Sequence, residues 1–180
     1  MVENVTFLLP YLVLVSHIVL VILLSSLVFR NSWGEEIVRW LGRHAAVLAF
    51  FVALTAIIGS LFYSEIVGFE PCVLCWWQRV FLYPLVIIFG VAAIWKKPAS
   101  AFLYAVPFAS AAALFAAYQS YVYLGGASLL SCTTLDGVCS KIYVMAFGYI
   151  TIPLMSLTIS LYILFLAWAN KIYKDENYNA

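Results

Sequence analysis

Charge is what this chain has least of. Only 9% of its 180 residues are Asp, Glu, Lys or Arg, and the formal net charge is +1. A soluble fold of this size needs a polar skin, which a chain with 66% hydrophobic residues cannot supply. No basic cluster is present to neutralise phosphates, so a nucleic-acid partner is excluded on composition. Pro-rich and low-complexity linkers are absent, and no internal repeat is convincing, so nothing marks off a separate soluble domain. Cysteine is scarce as well, with Cys72, Cys75, Cys132 and Cys139 the only four. No clustered His or acidic residue accompanies them, which argues against a four-thiolate zinc site, and no metal is expected.

What the chain has instead is long apolar runs, several reaching the roughly 20 residues that a bilayer-spanning helix requires. The first is Phe7 to Phe29. Only Glu3 is charged before it, so the basic leader of a signal peptide is missing and the run is expected to be a retained span. Ser32 with Glu35 forms a capping-box pattern. Between Arg30 and Arg43, Trp33, Ile37, Trp40 and Leu41 share one helical face, and Glu35, Glu36, Arg39 and Arg43 take the other. That amphipathicity predicts a short helix lying in the headgroup zone. Further spans are expected at His44–Tyr63, Arg79–Trp95, Ala101–Leu124 and Ile142–Trp168, the last broken or kinked near Pro153. The class is an all-α polytopic membrane protein.

Lys and Arg set the expected orientation. Arg30, Arg39, Arg43, Lys96, Lys97, Lys171 and Lys174 collect on one side of these spans, against Arg79 and Lys141 on the other. The first side is therefore expected in the cytoplasm, with the N-terminus outside and the C-terminus inside. Both cysteine pairs then fall on the external side, in an oxidising compartment.

The segment Glu70-Pro71-Cys72-Val73-Leu74-Cys75-Trp76-Trp77-Gln78-Arg79 is the centre of the reading. If Cys75 lies in the first turn of the span that follows, Arg79 sits one turn on, on the same face. A helix N-terminus and a nearby guanidinium both favour a thiolate over a thiol, which marks Cys75 as the reactive sulfur. Inert packing of two small hydrophobes is the plainer alternative, but Pro71, the CxxC spacing and Arg79 favour redox chemistry. Cys132 and Cys139 enclose a small loop and alone would read as a structural disulfide; beside an external CxxC they become a candidate relay pair. Arg79 could simply snorkel to the interface, yet a charge at the membrane border is a functional candidate, here for holding the Cys75 thiolate and any anionic cofactor oxygen. Gln78 could add a neutral hydrogen bond. His17 reads as a polar contact between helices rather than a proton relay. Near the end of the fourth span, Tyr118, Tyr121 and Tyr123 fit an interfacial aromatic belt, whereas the Gln119 amide needs a partner in the bilayer.

The run from Cys72 to Arg79 resembles the CxxC-to-arginine signature of the DsbB disulfide-formation proteins. The Cys132–Cys139 loop and Phe147-Gly148-Tyr149-Ile150-Thr151-Ile152-Pro153 resemble the BdbC-like branch. The resemblance implies a four-helix bundle core over residues 44–170. Residues 1–43 then form an extra N-terminal transmembrane helix plus the short interfacial helix, and 171–180 a cytoplasmic tail. The extra span is expected to serve packing or assembly, and its removal to spare the chemistry. The resemblance further implies a bacterial cell (inner) membrane location, and reoxidation of a DsbA-like (BdbD-like) thioredoxin-fold oxidase. Electrons would pass from the partner to Cys132–Cys139, then to Cys72–Cys75, and from Cys75 to a membrane quinone, ubiquinone or menaquinone. Cys132 would take the partner's attack, Cys139 would bridge transiently to Cys72, and Arg79 would help hold the quinone near Cys75, where Trp76, Trp77 or Tyr83 could stack on it.

Two other functions compete with this one. A vitamin K epoxide reductase-like protein also couples a helical bundle to a quinone, but its loop cysteines precede the CxxC, the reverse of the order here. A non-catalytic membrane scaffold would use both pairs as structural external disulfides.

Overall fold

The computed structural model describes residues 2–28, 32–95, 98–126 and 142–178. Cys132 and Cys139 lie outside the described residues, as do Arg30, Lys96, Lys97 and Lys141. Five helices account for nearly everything described: α1 (Val2–Val28), α2 (Ser32–Leu61), α3 (Val73–Trp95), α4 (Pro98–Tyr123) and α5 (Ile152–Tyr178). All five are long and apolar enough to cross a membrane, and the chain is a multi-pass membrane protein.

The core is formed by α2, α3, α4 and α5, with α1 packed more lightly against α2 and α5. Close approach of these helices depends on small side chains. Ala45, Ala49 and Ala53 of α2 and Ala105, Ala109 and Ala112 of α4 are fully or almost fully buried, and Leu85, Phe89 and Ile163 fill the space between them. Large apolar residues such as Phe51, Ile87 and Leu114 face outward, as a lipid-facing surface requires.

The segment expected as a separate interfacial helix is instead the start of α2, which runs unbroken from Ser32 to Leu61. At about 1.5 Å per residue, α2 is roughly 45 Å long, so its charged first turns extend past a hydrocarbon core of about 30 Å. The helix stays continuous because this segment packs on protein. Val38, Gly42 and Ala45 are buried, and Asn170 Nδ2 of α5 donates to the Gly42 carbonyl at 3.0 Å. Ile37 and Trp40, from the apolar face expected to lie in the headgroup zone, are exposed. The Arg39–Glu35 pair, 2.7 Å apart, decorates the outer face.

The expected span Ile142–Trp168 is broken next to Pro153: residues 142–151 are not helical and α5 begins at Ile152, so Pro153 lies in its first turn. Its missing N–H costs nothing in the first turn, and the Thr151 hydroxyl accepts from the Leu154 amide at 3.4 Å as a cap. Before it, residues 146–150 make a tight reversal closed by Ile150 N donating to Ala146 O at 2.8 Å. Phe147 adopts a left-handed φ of 52° there, a strained conformation for an aromatic residue, followed by Gly148 at 74°.

Candidate functional site

Pro71 disfavours extending α3 backward, and Cys72 is the residue that caps it. The Cys72 carbonyl accepts from Trp76 N at 3.0 Å, and its sulfur accepts from Cys75 N at 3.4 Å. Sulfur thus occupies the position that a Ser or Asp oxygen takes at other helix starts. The CxxC spacing then brings Cys75 round one turn, with its sulfur 2.9 Å from that of Cys72. A disulfide of about 2.05 Å requires the sulfurs to close by only about 0.9 Å. The expectation that Cys75 lies in the first helical turn is met. The amides of that turn carry partial positive charge and favour negative charge on the sulfurs.

Gln119 of α4 completes the pair's surroundings. Fully buried, it donates from Nε2 to the Cys72 sulfur at 3.2 Å and reaches the Cys75 sulfur at 3.6 Å. Gln78 Nε2 donates to Gln119 Oε1 at 2.7 Å, and the Tyr123 hydroxyl lies 3.3 Å from Gln119 Nε2. Both Gln side chains are thereby fixed, and Gln78, expected to serve a bound acceptor, has its amide turned to Gln119. The only sequence signal for Gln119 is an amide in an otherwise apolar helix.

Arg79 is one turn beyond Cys75, as the spacing predicts, but its head is held by α2. Its Nε donates to Ser60 Oγ at 2.9 Å, its Nη2 to the Ser60 carbonyl at 3.2 Å, and the guanidinium lies 5.3 Å from the Trp76 ring centre. Tyr83 also donates to Ser60 Oγ, at 3.2 Å. Two of the five guanidinium N–H donors are used on Ser60.

These residues surround a cavity of about 540 Å³ bounded by α1, α2, α3 and α5. Cys72, Cys75, Gln78, Arg79 and Tyr83 line one part of it, and aliphatic side chains such as Leu12, Val52, Leu82 and Ile159 line much of the rest. Of the three aromatics considered for stacking on a bound ring, only Tyr83 reaches this cavity; Trp77 instead stacks on Phe115 at 5.8 Å. Two hydroxyls among the cavity-lining residues, Tyr63 Oη and Ser156 Oγ, are buried with no hydrogen-bond partner among the described residues. Orphaned donors of this kind fit a ligand carrying acceptor oxygens.

The described residues flanking the second cysteine pair return to the same end of the bundle. Tyr123 and Tyr143 both line the cavity. Tyr143 stacks on Phe69 at 4.6 Å, and Phe69 on Tyr63 at 5.8 Å, which ties the chain after Cys139 to the turn before Cys72. His17 bonds Thr158 Oγ1 at 2.8 Å, the contact between helices expected of it.

The family model described as Disulfide bond formation protein DsbB matches residues 42–170. The SPbeta prophage-derived disulfide bond formation protein B of Bacillus subtilis is 41% identical over 110 residues, covering 61% of this chain and 74% of that protein. The Probable disulfide formation protein C 2 of Bacillus anthracis is 32% identical over 135 residues, covering 75% of this chain and 96% of that protein. The Disulfide bond formation protein C of Bacillus subtilis is 39% identical over 112 residues, covering 61% and 79%. No solved structure matches the chain.

Proposed function

Because the chain belongs to the DsbB family of disulfide bond formation proteins, we propose that it reoxidises an extracytoplasmic thioredoxin-fold oxidase of the DsbA type and delivers the electrons to a membrane quinone. The observation that carries this reading is that Cys75, Gln119 and Arg79 converge beside an apolar cavity between membrane-spanning helices. A lipid-soluble oxidant has access to such a space, and a soluble one has little.

The residues present fit a quinone. Apolar walls suit its ring and tail, while Arg79, Tyr63 and Ser156 offer donors for its oxygens. When bound, a quinone supplies a sink for two electrons and two protons.

The thiol chemistry belongs to the chain's own residues. The partner's thiolate attacks Cys132, the Cys132–Cys139 disulfide breaks, and the partner's second thiol releases itself as a disulfide. Cys139 thiolate then attacks Cys72, the Cys72–Cys75 bond breaks with Cys75 leaving as thiolate, and Cys132 closes on Cys139 to regenerate the loop disulfide. Two electrons now reside on Cys72 and Cys75, at the cavity. The exchange that opens Cys72–Cys75 is favoured by a stabilised leaving thiolate, which the α3 N-terminus and the Gln119 amide provide. The excess of Lys and Arg at the opposite end supports an external position for this end, in the bacterial cell membrane.

The test is reconstitution in vesicles with ubiquinone or menaquinone and a reduced thioredoxin-fold oxidase. The wild-type chain is expected to oxidise the partner as quinone absorbance falls, and Cys75→Ser to insert normally yet do neither. Partner oxidation undiminished in Cys75→Ser would leave the scaffold reading.

A further inference from the structure

The DsbB family match begins at residue 42, so α1 lies wholly outside it. The cavity at Cys75 nevertheless has an α1 wall. Leu9, Leu12, Val13 and Ser16 line it, and their spacing of i, i+3, i+4 and i+7 is that of a single helical face. The other side of α1 is turned outward: Leu8, Val15, Ile18 and Ile22 are all more than half exposed.

The wall is registered on α5 and the reversal before it. Tyr11 meets Phe147 edge to face at 5.2 Å, His17 bonds Thr158 at 2.8 Å, and the Tyr162 hydroxyl donates to the Ser16 carbonyl. Phe147 is the residue with the left-handed backbone, so a strained position supplies the ring that docks α1. These contacts fix which α1 side chains face the cavity, although the helix packs only lightly on the bundle.

We propose that α1 is a specificity wall for the lipid-borne electron acceptor: Leu9 and Val13, the partly buried apolar members of this face, set the width of the space beside Cys75 and Arg79 that a quinone ring and tail must enter. The proposal rests on the quinone reading above and adds the determinant of which quinone is admitted. It gives α1 a part in acceptor recognition beyond packing, and it does not involve the thiol exchange reactions.

Two measurements on the full-length chain test it. In the first, an azido-quinone is photolysed with the wild-type protein and the labelled peptides are mapped. Label within residues 2–28, displaced by excess unmodified quinone, is expected; label confined to α2–α5 would overturn the proposal. In the second, Val13→Trp is expected to raise KM for quinone roughly tenfold or more, the usual size of a steric mismatch in an apolar pocket. Val15→Trp, on the outward face of the same helix, is expected to leave KM unchanged. Equal KM in wild type and Val13→Trp, or equal increases in both variants, would overturn it. If the wild-type chain neither binds nor reduces quinone, the underlying reading falls and this one with it; a wild-type enzyme that reduces quinone with an unlabelled α1 refutes the wall alone.

Discussion

Gln119 and Arg79 do different work at Cys75, and substitution separates them. Gln119 contacts both sulfurs of the pair and is held by Gln78, so Gln119→Leu removes a donor from the leaving thiolate and strands a buried amide. A lost hydrogen bond to a charged group is worth about 1.5–3 kcal/mol, so the internal exchange from Cys132–Cys139 to Cys72–Cys75 is expected to slow by roughly 10- to 100-fold. Without quinone, a second equivalent of partner is oxidised only after that internal exchange, so stopped-flow measurement of the second equivalent checks this; an unchanged rate would remove Gln119 from the mechanism. Arg79, clamped on Ser60, faces the cavity. Arg79→Ala is expected to slow quinone reduction by about tenfold or more while slowing partner exchange far less. Equal slowing of the two half-reactions would show that the arginine serves only the pair's structure. The CxxC-to-arginine spacing made Cys75 and Arg79 legible in the sequence. Ser60 and Gln119 were not assignable, because their contacts join residues far apart in the chain, and a lone amide in a span states a need without naming its partner.

Among the elements, the spans were legible because hydropathy and length alone define them. Their interruptions were harder. Arg30–Arg43 has the amphipathic pattern of a surface helix, and the pattern cannot tell a lipid headgroup layer from the end of α5 as the covering surface. The break read at Pro153 is present, but hydropathy carried the span back to Ile142, where the chain before Ile152 forms a reversal and not a helix. The α1 wall was hidden for a different reason: α1 is apolar on every side, so its cavity face and its lipid face read alike. Gly42 provides a test of the α2–α5 contact. A Cβ there would stand 2.5 Å from the Ala169 carbonyl oxygen and 2.6 Å from the Tyr173 Cβ. Gly42→Ala is therefore expected to destabilise the bundle by about 1–3 kcal/mol, as overpacking does. Thermal unfolding in detergent measures the effect, and an unchanged midpoint would mean the helices separate there at no cost.

At the scale of the molecule, α3 begins, and α4 ends, at the same end of the bundle, where α5 also starts. This joins the CxxC turn to both flanks of the second cysteine segment. The proposed route needs that end to face outward. After mild reduction of intact cells, a membrane-impermeant maleimide is expected to modify Cys132 and Cys139; labelling only in inverted vesicles would reverse the orientation. The proposed coupling of thiol oxidation at this end to a quinone through Cys75 is open to an electron count in sealed vesicles holding the wild-type chain, a reduced thioredoxin-fold partner and a quinone, without oxygen. Thiol–disulfide conversion is a two-electron couple, so one quinol is expected for each partner disulfide formed. Partner disulfides accumulating with no matching quinol would contradict the account.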